Sequence, residues 1–239
     1  MTSIAVTSVA GAPGVTTLVC AMAATSTDDA PLLVVETSST GGAIAARWRL
    51  DVRDSTATAA KLAMDLTPVD LWGVAHHPWL GSSRVIPAHP SAAVMRQAQT
   101  GRWLAEQIGD VGRPCVVDLG RLDGSGDQLE LLAAVDQVWM VIDPVIEHVT
   151  AAKAVGPWLD RAGRVEIVVR ETAGHPARDS ARTVGEALGW PVAATVPDDQ
   201  PSARALCGQA PARRSLARSP LMRTARSLAG RLVPSGAPA

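Results

Sequence analysis

Ile4-Ala5-Val6-Thr7-Ser8-Val9-Ala10-Gly11-Ala12-Pro13-Gly14-Val15-Thr16-Thr17 is the stretch on which the fold turns: an apolar, β-like run, a glycine-rich break, then a helical pattern from Thr16 to Ala24. A strand that turns through glycines into a helix is the opening unit of an open α/β sheet. There the ligand crevice lies at the carboxyl ends of the strands, and the first helix N-terminus presents free N–H groups to anions. The rest of the chain repeats the alternation. Further β-like runs occur at Leu32–Val35, Arg84–Ile86, Cys115–Val117, Val138–Ile142, Val165–Val169 and Val192–Val196. Helical patterns lie at Ala43–Arg49, Ala92–Ile108, Leu129–Ala134, Glu147–Arg161 and Arg178–Leu188. Runs such as Val138-Trp139-Met140-Val141-Ile142 do not alternate apolar with polar residues, as strands of a half-exposed sheet would. They read as strands buried on both faces. The expected fold is therefore α/β: a doubly wound, mostly parallel sheet with helices on both faces, of the P-loop NTPase type.

The 239 residues, 47% hydrophobic and 19% charged, supply enough apolar mass for a sizeable core and exclude a disordered chain. One α/β domain over residues 1–232 is expected, with 201–232 a basic segment ending in an amphipathic helix and 233–239 a flexible tail. A net charge of −1 selects neither nucleic acid nor membrane globally. The seven arginines after Pro201, with no acid among them, leave −8 on the first 200 residues. Only Lys61 and Lys153 are lysines among 22 basic residues, and tryptophan is the sole aromatic, expected to fill core positions. Cys20, Cys115 and Cys207 are odd in number and far apart, which argues against a disulfide framework or zinc site. Met1–Thr27 carries no charge and contains Ala21-Met22-Ala23, but a secretory signal needs a basic start and an unbroken apolar stretch, and Gly11–Gly14 interrupts this one. A cytoplasmic chain is expected, peripheral at a membrane at most. His76 and His77 lack the spacing of a helical metal pair and read as solvated loop residues within an irregular stretch, Leu66–Ser83.

A P-loop needs G-x-x-x-x-G-K-[ST], in which glycines let backbone N–H groups converge on phosphate and the lysine neutralises it. The first turn here keeps Gly14 and the hydroxyls Thr16 and Thr17, but has Val9 at the first glycine and Val15 at the lysine. A tight structural turn without a ligand competes with a phosphate cradle on this pattern alone.

The sequence resembles the ParA/MinD family of P-loop ATPases, whose loop reads K-G-G-x-G-K-T-T. Aligned on the threonines, Ala10 stands at that family's signature lysine, Val15 at its P-loop lysine and Ala12 at its second loop glycine. The order continues along the chain. LLVVETSSTGG (Leu32–Gly42) is similar to the second strand and acidic turn, and CVVDLG (Cys115–Gly120) to the Walker B strand with Asp118 as the magnesium-linked acid. VDQVWMVIDP (Val135–Pro144), WPVAATVPDD (Trp190–Asp199) and ARSPLMRTARSLAGRL (Ala217–Leu232) are similar to later strands and the terminal helix. The resemblance implies ATP or ADP held with Mg²⁺, by Gly11, Gly14, Val15, Thr16, Thr17, Glu36 and Asp118. Thr16 and Asp118 would be the metal-side groups. An Asp closing a buried strand can equally serve as a cap for neighbouring N–H groups.

Departures from that pattern fall on the chemistry. Glu36-Thr37-Ser38 replaces the family's D-x-D, and Ser38 cannot act as a base. By the resemblance, the signature lysine acts across a dimer like an arginine finger, a contribution of roughly 10³–10⁵ in rate. Arg47 and Arg49 could fold back to compensate, but a helical turn or more separates them from the strand end, so neither is expected to. A pseudo-ATPase is therefore expected, with weak or no nucleotide binding and no residue assigned a catalytic role. The alternatives are a working ATPase with unusual loop chemistry and a P-loop-derived metabolic ligase or synthase. The resemblance implies a positioning or regulatory module, in cell division, partition, pilus or secretion-apparatus localisation, acting as a homodimer with a protein partner.

In the last helix, Leu221, Ala225, Leu228 and Leu232 share one face, with Ser219 as cap and Pro220 at the first position. Arg213, Arg214, Arg218, Arg223, Arg226 and Arg231 surround that face. They could be a solvated face, a contact to an anionic membrane surface, or a nonspecific contact to DNA.

Overall fold

The structure, a computed structural model, describes residues 2–10, 14–64, 69–78, 81–172, 177–212 and 214–233. Gly11, Arg213 and the expected tail from Pro234 onward lie outside them. Strands β1 (Ser3–Ser8), β2 (Leu33–Glu36), β3 (Arg84–Ile86), β4 (Cys115–Arg121), β5 (Gln137–Ile142), β6 (Val165–Arg170) and β7 (Val192–Val196) form one sheet. Its order is β3-β2-β4-β1-β5-β6-β7, and every adjacent pair is parallel. β1 is thus central, and the turn that leaves it opens at the carboxyl edge between β4 and β5.

The helices follow in chain order: α1 (Val15–Thr25), α2 (Ile44–Trp48), α3 (Thr56–Met64), α4 (Leu71–Val74), α5 (Ala92–Ala98), α6 (Thr100–Gln107), α7 (Gly126–Ala134), α8 (Ile146–Leu159), α9 (Ala177–Leu188), α10 (Gln200–Leu206) and α11 (Pro220–Gly230). Alternate strand residues go to opposite faces, Ala5 to one apolar layer and Ile4 and Val6 to the other. The first layer is closed by α3, α6, α7, α8 and α9, the second by α1, α10 and α11. Burial on both faces accounts for the unbroken apolar runs of the strands. The helical pattern at 92–108 is divided, because Gln99 adopts a left-handed conformation (φ 48°) and ends one helix before the next begins. His76 is not a solvated loop residue: its backbone exchanges two hydrogen bonds with Val85, extending the β3 edge, and its Nε2 is buried.

Asp199 joins the late helices. Its carboxylate accepts from Ser202 N–H (3.2 Å), capping α10, and from Leu221 N–H (3.3 Å) at the start of α11. Ser219 caps α11 by accepting from Met222 N–H. Leu221, Ala225, Leu228 and Leu232 are all buried in the layer that includes α1, so the apolar face of the last helix is occupied by the fold itself. Arg231 is tied down as well: its guanidinium bonds Glu166 (2.6 Å) and lies 5.3 Å from the centre of the Trp139 ring. Arg214, Arg218, Arg223 and Arg226 remain exposed. Among the described residues no helix is long and apolar enough to cross a membrane.

Replacing Leu228 by Ala is expected to lower the free energy of unfolding by about 2–5 kcal/mol, as for a fully packed leucine. Urea denaturation measures it, and an unchanged midpoint would mean that α11 is not part of the core.

Candidate functional site

The site is assembled at the carboxyl edge of the sheet by three strand ends and one helix start. Gly14 precedes α1 in a left-handed conformation (φ 92°) that a side chain would strain, and its carbonyl accepts the Leu18 N–H (2.8 Å). No side chain caps α1, and its first turn carries no acid. The N–H groups there are therefore without a side-chain acceptor. Val15 is only 5% exposed and sits in the core layer beneath α1, while Ala10 packs on the opposite layer. Both positions where the resembled family has lysine thus carry apolar side chains, Val15 buried in one core layer and Ala10 half-buried against the other. Thr16 and Thr17 are half-buried at the edge.

β2 and β4 are paired in register, so Glu36 and Asp118 lie side by side on the same face. Both are buried, at 1% and 0% exposed. Glu36 is fully engaged by the backbone: Oε1 accepts from Ala43 N–H (2.7 Å) and Ile44 N–H (3.2 Å), and Oε2 from Ala88 N–H (2.9 Å). It fixes the start of α2 and the exit of β3. Asp118 is different. Its Oδ1 accepts from Gly120 N–H (2.8 Å), while Oδ2 is buried with no hydrogen-bond partner. The Thr16 hydroxyl is close enough to draw the Asp118 pKa down, but it does not complete a hydrogen bond to Oδ2.

Burial raises the pKa of both carboxyls, and for Glu36 the neighbouring Asp118 charge adds to it, pushing it up to about 7 against the three N–H bonds. For Asp118, Thr16, the Gly120 N–H and the Arg47 charge work in the opposite direction without prevailing. A buried carboxylate oxygen with no donor among the described residues, beside a helix start that no side chain caps there, suits a divalent cation arriving with phosphate. Mg²⁺ is commonly held by one or two carboxylates plus phosphate oxygens rather than by a protein cage. The residues present thus fit Mg²⁺ at Thr16 and Asp118, and phosphate at Gly14, Thr16 and Thr17. Both Glu36 oxygens accept from backbone N–H groups.

Ser38, in place of an acid, shares a hydrogen bond with Thr40 (2.9 Å) and is buried. The next loop is joined to it, since Ser39 donates to Asp123 (2.6 Å). Beside Gly14 and Thr17 lies a cavity of about 240 Å³, lined further by Arg170, Pro197, Asp198 and Gln200. Arg170 is held there by Asp143 through two hydrogen bonds (2.6 and 2.8 Å). The Asp143 N–H donates to His148 Nδ1 (3.3 Å).

Arg47 departs from expectation. The start of α2 is drawn to Glu36, and Arg47, its fourth residue, reaches α1, where Arg47 Nη1 donates to the Thr17 hydroxyl at 3.3 Å. Arg121, Asp143 and Arg170 were not candidates from sequence. Each stands at or just past a strand's carboxyl end, and that position was the available signal. The exposed C-terminal arginines lie on α11 and the segment before it, and are not part of this site.

No protein-family profile matches the chain, and no curated protein sequence matches it. Solved structures do. The MinD cell-division ATPase of Pyrococcus furiosus superposes with a TM-score of 0.77 at 18% identity, over 96% of this chain and 97% of that one. MinD of Pyrococcus horikoshii OT3, a septum site-determining protein complexed with Mg-ADP, gives 0.75 at 15% identity, over 96% and 95%. A ParA family ATPase from Chlorobium tepidum TLS gives 0.73 at 17% identity, over 95% and 97%.

Because both buried carboxyls hold protons more tightly in the folded than in the unfolded chain, stability falls as pH rises from the ordinary carboxylate range, about 4, toward neutral. In Asp118→Asn one of the two charges is gone, and the loss of stability between about pH 5 and about pH 8 should be smaller than in the unaltered chain. Urea midpoints across that range measure it, and equal pH slopes would contradict the coupling. Seven parallel strands in this order, with the helices on both sides and the glycine turn leaving the central strand, give the chain the fold of the ParA and MinD ATPases.

Proposed function

We propose that the chain is a ParA/MinD-like positioning or regulatory module whose nucleotide site does not turn over ATP. The observation that carries this reading is that Val15 is buried in one core layer and Ala10 packs half-buried against the other, with Ser38 bonded to Thr40 where the resembled family has an acid. Neither a phosphate-neutralising lysine in the loop nor a side chain able to order an attacking water is then available. Binding survives such losses better than catalysis does, because backbone N–H groups and a cation still attract phosphate while the rate depends on charge placed for the transition state. The role expected is localisation of another assembly, in division, partition, pilus or secretion systems, as a homodimer with a protein partner.

The exposed Arg214, Arg218, Arg223 and Arg226 would contribute an electrostatic contact to an anionic surface, membrane or DNA. The apolar face of α11 is committed to the core, which favours a charge-only contact over insertion into lipid. A working ATPase is the second reading, favoured by the unpartnered Asp118 oxygen. A ligase or synthase finds no comparable support, as its chemistry also leans on the loop lysine.

ATP turnover by the purified chain with Mg²⁺ is expected to match that of a Thr16→Ala variant. Turnover clearly above that variant would overturn the pseudo-ATPase reading in favour of the second one.

A further inference from the structure

Two arginines approach the first turn from opposite ends. β4 runs alongside β1, with Arg121 in register with Ser8 at the carboxyl end of the central strand. From there Arg121 Nε donates to the Val9 carbonyl (3.3 Å), one residue before Ala10. Its backbone is fixed by the buried Gln128 of α7, whose amide donates to the Arg121 carbonyl (3.0 Å) and accepts from Asp123 N–H (2.8 Å). At the other end Arg47 reaches Thr17, two residues past Val15. Among the described residues neither guanidinium has a carboxylate within ion-pair distance. Each uses one N–H in the contacts above, of the five a guanidinium carries.

We propose that Arg47 and Arg121 take over from the two absent loop lysines as the cations that hold the phosphates of a nucleoside di- or triphosphate at the first turn of α1. The proposal rests on the reading that this site holds nucleotide without turning it over. Guanidinium forks suit phosphate better than a point charge, since two parallel N–H groups match two oxygens. Arg47 is half-buried on Thr17, and its charge already acts on Asp118 without reaching ion-pair distance. The buried Asp118 oxygen supplies an independent indication: it has no donor, it lies before Thr16, and it would repel a bare polyphosphate. The anion is therefore expected to come with a divalent cation. Both arginines belong to the same chain as the loop they serve, so they hold phosphate without placing a charge across a dimer, and Ser38 still lacks a base. Occupancy without hydrolysis follows.

The test is equilibrium binding of a fluorescent ADP to the full chain in excess Mg²⁺. Arg47→Gln and Arg121→Gln are each expected to weaken binding by about tenfold or more, with Arg47→Lys retaining part of the affinity. Arg49→Gln, an exposed neighbour on the same segment, is expected to bind as the unaltered chain does. Thermal melting with and without Mg-ADP guards against misfolding: each Gln variant should keep its ligand-free midpoint and lose most of the ligand-induced rise. Unaltered binding in both Gln variants would overturn the proposal while leaving the nucleotide reading standing. An unaltered chain that binds no Mg-ADP would overturn the nucleotide reading itself, and the proposal with it.

Discussion

Two carboxylates buried side by side at the ends of β2 and β4 govern the arrangement around them. Carboxylates in such a position repel each other and resist ionisation unless the surroundings supply donors or positive charge. The fold answers this unequally. Glu36 is satisfied by three backbone N–H groups, and in accepting them it fixes α2 and the exit of β3. Asp118 receives a single N–H on one oxygen and nothing on the other. One acid has become a structural anchor. The other keeps an unmet demand for positive charge, directed at the start of α1.

Arginine meets part of that demand from outside the loop. Glu36 accepts at the start of α2, the helix from which Arg47 reaches Thr17, so this acid also anchors the element that carries a cation. The scarcity of lysine noted from composition then has a structural counterpart. A drift from lysine to arginine would have left arginine at positions 10 and 15, whereas both are apolar, Val15 buried and Ala10 half-buried against the core. The cations near the turn come from neighbouring elements.

Much of the fold was legible because it rests on local signals. Short β-like runs, several of them unbroken in their apolar residues, gave all seven strands, and the glycine turn after β1 gave the crevice. Boundaries moved by a few residues, as strand ends depend on pairing: β4 runs on to Arg121 because β1 continues beside it. The division at Gln99 was hidden, since a left-handed glutamine has no propensity signature. α3 and α10 were missed because the alanine-rich stretch before Met64 and the short Gln200–Leu206 turn carry weak periodicity. Of the candidate site, Gly14 and Thr16 are proposed from the first-turn pattern and Asp118 from the family resemblance alone. The use of Glu36 as a cap, and the return of Arg47 and Arg121 to the turn, are tertiary: each depends on which strands are neighbours, and chain distance gave the wrong answer for Arg47.

The last helix shows the same dependence on context. Its apolar face, which alone would suit a membrane surface, is buried against α1, and only the arginine face remains outside. The proposed nucleotide site lies at the edge of the sheet where Asp118 stands beside α1. Calorimetry of ADP binding to the purified chain, with and without Mg²⁺, tests that most directly. Saturable binding that weakens markedly without Mg²⁺ is the expected result. Absence of any binding heat in either condition, at protein concentrations of about 100 μM where a Kd in the micromolar range is measurable, would contradict it.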